Sequence, residues 1–187
     1  LGCGNGIVGI SLFFNNVITK LFASDLSNDA IKLTEENLFK FDIDALVKCS
    51  DKFESWDGFK FDYIINDVSG VAEDIAKYST WFKNVPNNSG YDGTNHVVNI
   101  IKKSKKYLNK NGKLIFPIIS LSNAELILKN AKEHFNTVNE LSSDYWFLPS
   151  ELAEEIDILK KLKNNKAIYY DEKFGKIVCY TKIYEAF

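Results

Sequence analysis

The sequence predicts an α/β protein with a doubly wound, mostly parallel sheet of seven strands. Segments rich in apolar and β-branched residues alternate with amphipathic segments over residues 1–135, a pattern typical of strands joined by helices. The chain also opens with a glycine-rich turn directly before an amphipathic segment, as expected at a strand–helix junction. The tail differs, because residues 137–149 and 166–187 predict antiparallel strands with Gly175 near a hairpin turn.

The elements follow from the apolar pattern and from the residues that begin and end helices. Ser27 or Asn28 is suited to cap the second helix, and "NKNG" predicts a turn after the helix that follows the Asn-, Gly- and Pro-rich loop. We predict helices at 6–15, 28–39, 94–108, 121–134 and 150–165, strands at 18–24, 45–49, 61–66 and 113–120, an irregular or helical stretch to 79, a loop at 83–93 and a turn at 109–112.

The chain is expected to form a single domain over residues 1–187, with a charged helical insertion near 150–165. The glycine turn normally follows a buried strand, and Leu1 would be the last residue of that strand. We therefore expect the first strand and an N-terminal part to be missing from this chain.

Composition excludes several classes of protein. With 45% hydrophobic and 26% charged residues, the chain is globular, and no apolar run reaches the roughly 18 residues of a membrane span. Three cysteines without metal-ligand spacing indicate no metal site and a reducing, cytoplasmic location. The net charge of −2 argues against non-specific nucleic-acid binding, and no membrane partner is expected.

The opening "LGCGNG" predicts a turn that brings the backbone close to a ligand, because Gly2, Gly4 and Gly6 lack a Cβ atom. Asp25 follows the next strand and lies 19 residues after Gly6, at a distance where a carboxylate can bind both hydroxyls of a ribose. The third glycine comes one residue earlier than in the dinucleotide fingerprint G-x-G-x-x-G. A nicotinamide-dependent oxidoreductase therefore remains the less favoured alternative.

The spacing G-x-G-x-G, with Cys3 and Asn5 between the glycines, resembles the first motif of class I S-adenosylmethionine-dependent methyltransferases. The resemblance implies S-adenosylmethionine as cofactor and S-adenosylhomocysteine as product. It also implies that Asp51 hydrogen-bonds the adenine amino group. The cofactor-binding residues that we expect are Gly2, Cys3, Gly4, Asn5, Gly6, Asp25, Leu26, Asp51, Lys52 and Asp67.

Two further stretches narrow the resemblance. "FDYIINDVSG" is similar to the fourth-strand segment of the small-domain methyltransferases, a group that includes enzymes acting on release-factor glutamine, on ribosomal proteins and on guanine in ribosomal RNA. "GYDGTNHVVNIIKKSKKYLNKNGKLIF" resembles a later loop, helix, turn and strand of the same group. The group's Asn-Pro-Pro-Tyr tetrad falls on residues 67–70, where both prolines and the aromatic residue are absent.

The resemblance implies that Asp67 is catalytic, accepting a hydrogen bond from the amine that receives the methyl group. Asp67 could instead contact the ammonium of the cofactor. Val68, Ser69 and Gly70 are then substrate-binding residues, and Tyr91 and Trp146 are candidates for an aromatic wall.

The predicted function is methyl transfer from S-adenosylmethionine to a nitrogen of a protein, an RNA base or a small molecule. A catalytically degenerate subunit that binds the cofactor and serves a partner remains open. The sequence predicts neither the acceptor nor the oligomeric state.

Overall fold

The structure is a computed structural model and describes residues 1–83 and 87–187. Two compact units divide the chain, one spanning Leu1–Phe59 and the other Lys60–Phe187. The assignment of a single domain stays a prediction.

The first unit contains two helices and a two-stranded parallel sheet. Its elements are α1 (Ile7–Phe14), β1 (Leu21–Asp25), α2 (Asn28–Lys40) and β2 (Ala45–Cys49). The pairing runs in register from Leu21 opposite Ala45 to Asp25 opposite Cys49. Ser27 caps α2 as predicted, because its side chain accepts the backbone N–H of Ala30 at 3.4 Å.

The core of the first unit lies between the helices and the strands. Ile10, Leu38 and Ile43 are buried together. Trp56 is only 2% exposed, and its indole N–H donates to the Ser24 hydroxyl at 3.1 Å. This bond fastens the segment after β2 to the end of β1, which keeps the two strand ends together.

The second unit contains a mixed five-stranded sheet with helices. Its elements are β3 (Phe61–Ile65), α3 (Glu73–Ala76), α4 (Asn95–Ser104), β4 (Leu108–Ile119), α5 (Ala124–His134), β5 (Val138–Phe147), α6 (Ser150–Ala153), α7 (Ile156–Asn164), β6 (Asp171–Lys173) and β7 (Lys176–Ala186). The strand order is β3-β4-β7-β5, and β6 also pairs with β7. Only β3 and β4 are parallel, while β7 runs antiparallel to β4, β5 and β6.

The core of the second unit has two parts. On β4, Leu114, Phe116 and Ile118 are at most 1% exposed. A second cluster joins α3, α6 and α7 to β7, with Ile75, Leu152, Leu159 and Cys179 among its buried members. Burial raises the pKa of the Cys179 thiol to about 11, so it is a packing residue and not a nucleophile.

The α/β class and the antiparallel C-terminal strands are confirmed, but several boundaries differ. The seven strands among the described residues form two sheets instead of one, since none of them pairs with both β1 and β3. The predicted turn at 109–112 is wrong, because these residues belong to β4. The helix expected at 150–165 is two helices, separated at Glu154 and Glu155.

Local contacts explain the largest of these differences. A Cβ atom at Gly112 would lie 2.7 Å from the Phe61 carbonyl oxygen, so this glycine permits close approach of β3 instead of turning the chain. The hairpin at Gly175 is confirmed, with Phe174 and Gly175 both in the left-handed region. The predicted loop at 83–93 lies partly outside the described residues.

Candidate functional site

The glycine turn has the backbone that its sequence predicts. Gly2, Gly4 and Gly6 have φ angles of 70°, 56° and 82°, in the left-handed region that glycine adopts without strain. A Cβ atom on Gly6 would lie 3.1 Å from the methyl group of Thr34, so the turn packs closely on α2. A Cβ atom on Gly4 would meet nothing within 4 Å, which leaves the space beside this residue open.

Asp25 connects the turn to the start of α2. One oxygen of its carboxylate accepts the backbone N–H of Gly4 at 2.9 Å, and the other accepts that of Ser27 at 2.9 Å. Each carboxylate oxygen has two lone pairs, so each retains capacity for one further donor. Asp25 therefore shapes the turn and still offers both oxygens to a ligand with two hydroxyls.

Sequence reasoning missed two residues of α2 that hold the same turn. The Thr34 hydroxyl is buried and donates to the Gly4 carbonyl at 2.9 Å, while the Asn37 amide donates to the Asn5 carbonyl at 2.8 Å. The available signal was a polar residue at position 34, on the helix face that also carries the buried Ile31 and Leu38. A buried polar side chain on an apolar face needs a partner.

The remaining cofactor candidates lie just after the two strands. Leu26 follows β1 and is 56% exposed. Asp51 follows β2, and its carboxylate pairs with the Lys52 ammonium at 2.5 Å. Lys52 has a φ angle of 51°, unusual for a residue with a side chain. Burial raises the pKa of Cys3, whose side chain contacts the Thr34 hydroxyl, so this thiol stays protonated near neutral pH.

These residues fit an adenosine ligand. A carboxylate with free lone pairs suits a ribose, an exposed leucine suits the face of an adenine ring, and a second carboxylate can accept from an exocyclic amine. The open space beside Gly4 admits a ligand against the backbone. All of these residues lie in the first unit.

Asp67 lies two residues after the end of β3 in the second unit. Its side chain is exposed, and partial desolvation by the surrounding protein raises the pKa of its carboxyl group above the ordinary value. The preceding residue, Asn66, is 1% exposed, and its side-chain oxygen accepts the N–H of Val68 at 3.2 Å. Asn66 thus fixes the backbone on both sides of Asp67, a role that the sequence analysis did not assign.

The candidate substrate residues fall into two groups. Ser69 and Gly70 follow Asp67, and the Ser69 hydroxyl donates to the Asn87 side chain. Tyr91 lies on the same loop as Asn87, is 46% exposed, and accepts from the Asn165 amide at 2.8 Å. Their roles as substrate contacts stay predictions.

Trp146, unlike the other candidate substrate residues, lies in a strand. It lies in β5, where its indole N–H donates to the Thr181 hydroxyl at 3.1 Å and its ring meets Trp81 edge-on at 5.7 Å between centroids. It also packs against the buried cluster around Cys179. Of this pair, Trp81 is the more exposed ring, at 44%.

Within residues 1–83 and 87–187, no group of three or more His, Cys, Asp or Glu side chains could hold a metal ion. In the same residues, no helix combines the length and the apolar character that crossing a membrane requires.

The overall fold is that of the class I methyltransferases. The chain is similar in structure to a precorrin-6y C5,15-methyltransferase from Geobacter metallireducens, with a TM-score of 0.57 and 12% identity over 100% of this chain and 76% of that chain. It is also similar to a ribosomal protein L11 methylase from Lactobacillus delbrueckii subsp. bulgaricus, with a TM-score of 0.53 and 17% identity over 96% of this chain and 65% of that chain.

Residues 1–68 match the family of the methyltransferase small domain, which confirms the resemblance found in the sequence. A bifunctional methyltransferase from Rickettsia prowazekii is 30% identical over 125 residues, covering 63% of this chain and 24% of the relative. A release factor glutamine methyltransferase from Aquifex aeolicus is 34% identical over 77 residues, covering 40% of this chain and 27% of the relative. The chain thus spans about a quarter of the length of these two relatives.

Proposed function

We propose that this protein is an S-adenosylmethionine-dependent methyltransferase that acts on a nitrogen atom. The observation that carries the proposal is the arrangement around Asp25, where one carboxylate holds the glycine turn and keeps lone pairs for a ribose. The class I methyltransferase fold and the match to the small methyltransferase domain support the same conclusion.

The first unit carries cofactor binding in this proposal. Gly2, Cys3, Gly4, Asn5 and Gly6 present backbone to the cofactor. Asp25 accepts from the ribose hydroxyls, Leu26 packs on the adenine ring, and Asp51 accepts from the adenine amine. Lys52 forms an ion pair with Asp51 and helps to hold its carboxylate in place. When bound, S-adenosylmethionine supplies a methyl group that is already activated by its sulfonium, so the protein needs no nucleophile of its own.

The second unit carries orientation of the acceptor. The Asp67 carboxylate accepts a hydrogen bond from the acceptor N–H, which aims the nitrogen lone pair and offsets the positive charge that develops on nitrogen. Ionised Asp67 is required for both effects. Because the pKa of Asp67 is raised, methyl transfer should fall with decreasing pH earlier than it would for an ordinary aspartate.

Equilibrium binding of S-adenosylhomocysteine, measured by calorimetry, tests the cofactor assignment. Asp25→Ala removes the proposed ribose contact and should weaken binding by about 1.5–3 kcal/mol. Asp29→Ala is the matched control, because Asp29 is an acidic residue in the first turn of α2 and is not part of the proposed site. Equal affinities for the two variants would contradict the proposal.

A rate measurement tests whether Asp67 contacts the methyl acceptor. Single-turnover methyl transfer to an acceptor isolated from cell extract should fall roughly 10²–10³-fold in Asp67→Ala, the scale for one transition-state hydrogen bond. Cofactor affinity should change little. If affinity collapses while the rate at saturating cofactor stays near wild type, Asp67 contacts the cofactor and not the acceptor.

A further inference from the structure

The segment that follows β3, residues 67–73, contains a glycine and no proline, so its own sequence leaves the backbone free to move. It leads from β3 to the first residue of α3 and carries Asp67 and the candidate substrate residues Val68, Ser69 and Gly70. Fixing such a segment in one conformation costs backbone entropy of about 1–2 kcal/mol per residue, which contacts from elsewhere must offset.

A loop distant in sequence, residues 87–93, supplies these contacts within the same unit. Glu73 and Gly90 form a reciprocal pair, in which the Gly90 N–H donates to the Glu73 carboxylate at 2.8 Å and the Glu73 N–H donates to the Gly90 carbonyl at 3.1 Å. This carboxylate bond is charge-assisted, which places it among the stronger hydrogen bonds.

Side chains of the loop reach the middle of the segment. The Ser69 hydroxyl donates to the Asn87 side chain, and the Ser89 hydroxyl donates to the carbonyl of Val71. The Ser89 oxygen also lies 2.7 Å from the Asn87 side-chain oxygen, so its single hydroxyl proton is shared between two acceptors and links the two contacts. Ser89 is completely buried, so water does not replace these hydrogen bonds when they break, and breaking them costs free energy.

Gly93 permits the close approach on which this network depends. A Cβ atom there would lie 2.8 Å from the Ala72 nitrogen and 2.9 Å from the Val71 carbonyl carbon. The Ala72 N–H donates in turn to the Leu121 carbonyl at 2.9 Å, which ties the segment to the residues just after β4.

From these contacts we propose that Glu73 is a positioning residue, which together with the 87–93 loop holds the 67–73 segment and thereby sets the direction in which Asp67 faces an acceptor. Asn66 fixes the N-terminal end of the segment through its hydrogen bond with Val68, and Glu73 fixes the C-terminal end through its hydrogen bonds with Gly90. The effect of this placement on the acceptor rests on the proposed function. The hydrogen bonds between the 67–73 segment and the 87–93 loop, which we call the brace, do not depend on it.

Amide hydrogen exchange under native conditions tests the brace. The amides of Glu73 and Gly90 donate within it, the neighbouring Ala72 amide donates to the Leu121 carbonyl, and the Ile127 amide in α5 serves as internal reference. Glu73→Ala should speed exchange of the amides of Ala72, Glu73 and Gly90 roughly tenfold or more and leave the reference unchanged.

Two matched variants complete this experiment. Glu73→Gln retains a side-chain oxygen that can accept from Gly90, so exchange should stay within about threefold of wild type. Asp74→Ala removes the neighbouring carboxylate of α3, which pairs with Lys77 at 2.7 Å, and should behave as wild type. Unchanged exchange in Glu73→Ala, no rescue by Gln, or equally faster exchange in α5 would each overturn the brace.

A second measurement distinguishes an effect of Glu73 on Asp67 from a purely structural role of Glu73. The pKa of Asp67, followed by carbon NMR of its carboxyl group, should move toward the ordinary value in Glu73→Ala and remain raised in Glu73→Gln. An unchanged pKa of Asp67 in Glu73→Ala, despite faster exchange, would overturn the positioning role. Failure of the wild-type protein to bind S-adenosylhomocysteine would refute the proposed function alone.

Discussion

The candidate cofactor residues of the first unit and the candidate acceptor residues of the second unit are held in different ways. In the first unit, positive φ angles at Gly2, Gly4 and Gly6 select the residue type of the turn directly, and Asp25 lies at the end of the next strand. In the second unit, the 67–73 segment depends on hydrogen bonds from a loop about 20 residues further along and on residues after β4. A site fixed by backbone geometry leaves a signature in its own sequence, whereas a site fixed by distant polar contacts does not.

The largest effect should come from Gly93, where the brace depends on close approach. Gly93→Ala adds a methyl group within 2.9 Å of backbone atoms and forces a residue with a side chain to a φ angle of 72°. The clash and the left-handed backbone together should lower the free energy of unfolding by about 2–5 kcal/mol, measured by urea denaturation.

Gly175→Ala is the control for Gly93, because its φ angle is 69° and its Cβ atom would meet nothing within 4 Å. Gly175→Ala should lower the free energy of unfolding by only about 1–2 kcal/mol, the cost of placing a residue with a side chain in the left-handed region. Equal losses in the two variants would show that the approach of the 87–93 loop contributes nothing to stability.

The corresponding test in the first unit uses Gly4. Gly4→Ala places a methyl group in the open space beside the turn and should weaken S-adenosylhomocysteine binding roughly tenfold or more, measured by calorimetry. Gly58→Ala imposes a similar backbone cost, with a φ angle of 84° and open space around its Cβ atom, and should bind normally. If both variants lose affinity alike, strain and not ligand contact is responsible.

Thr34 probes how the turn is held. Thr34→Val keeps the shape of the side chain but leaves the Gly4 carbonyl without its donor, so the free energy of unfolding should fall by about 0.5–1.5 kcal/mol. Thr34→Ser retains the hydroxyl but lacks the methyl group. If the hydrogen bond is the main contribution, this variant should lose less stability than Thr34→Val. A Val variant as stable as wild type would remove Thr34 from the account of the turn.

The smallest effect concerns the charge of Asp67. Its pKa is raised in the folded protein, so the folded state binds the proton more tightly, and the charged form costs stability at any pH above that raised pKa. Asp67→Asn should therefore stabilise the fold near neutral pH, by only about a few tenths of a kcal/mol because the side chain is exposed and screened.

The gain in Asp67→Asn should vanish as the pH falls below the unfolded value of 3.8, where both states are protonated. Thermal denaturation of the two proteins across this pH range checks the sign. A destabilised Asn variant near neutral pH would mean that the carboxylate makes a favourable contact in the fold.

The sequence predicted the class of fold, the glycine turn and the capping of α2, because each follows from local sterics or from the alternation of apolar segments. It did not predict Thr34, Asn66 or Glu73 as structural partners of the site. The hydrogen bonds of Thr34 and Glu73 join residues that only the folded chain brings together, as in the bond from Gly90 to Glu73. The turn predicted at 109–112 failed for a related reason, since Gly112 serves the approach of β3.

An amide NMR titration of the chain with S-adenosylhomocysteine tests directly whether the first unit binds this cofactor. We expect saturable shifts of the amides of Gly4, Gly6, Leu26 and Lys52 in the first unit, and no comparable response to a nicotinamide dinucleotide. The opposite pattern, in which the dinucleotide shifts these amides and S-adenosylhomocysteine leaves them unchanged, would contradict this expectation.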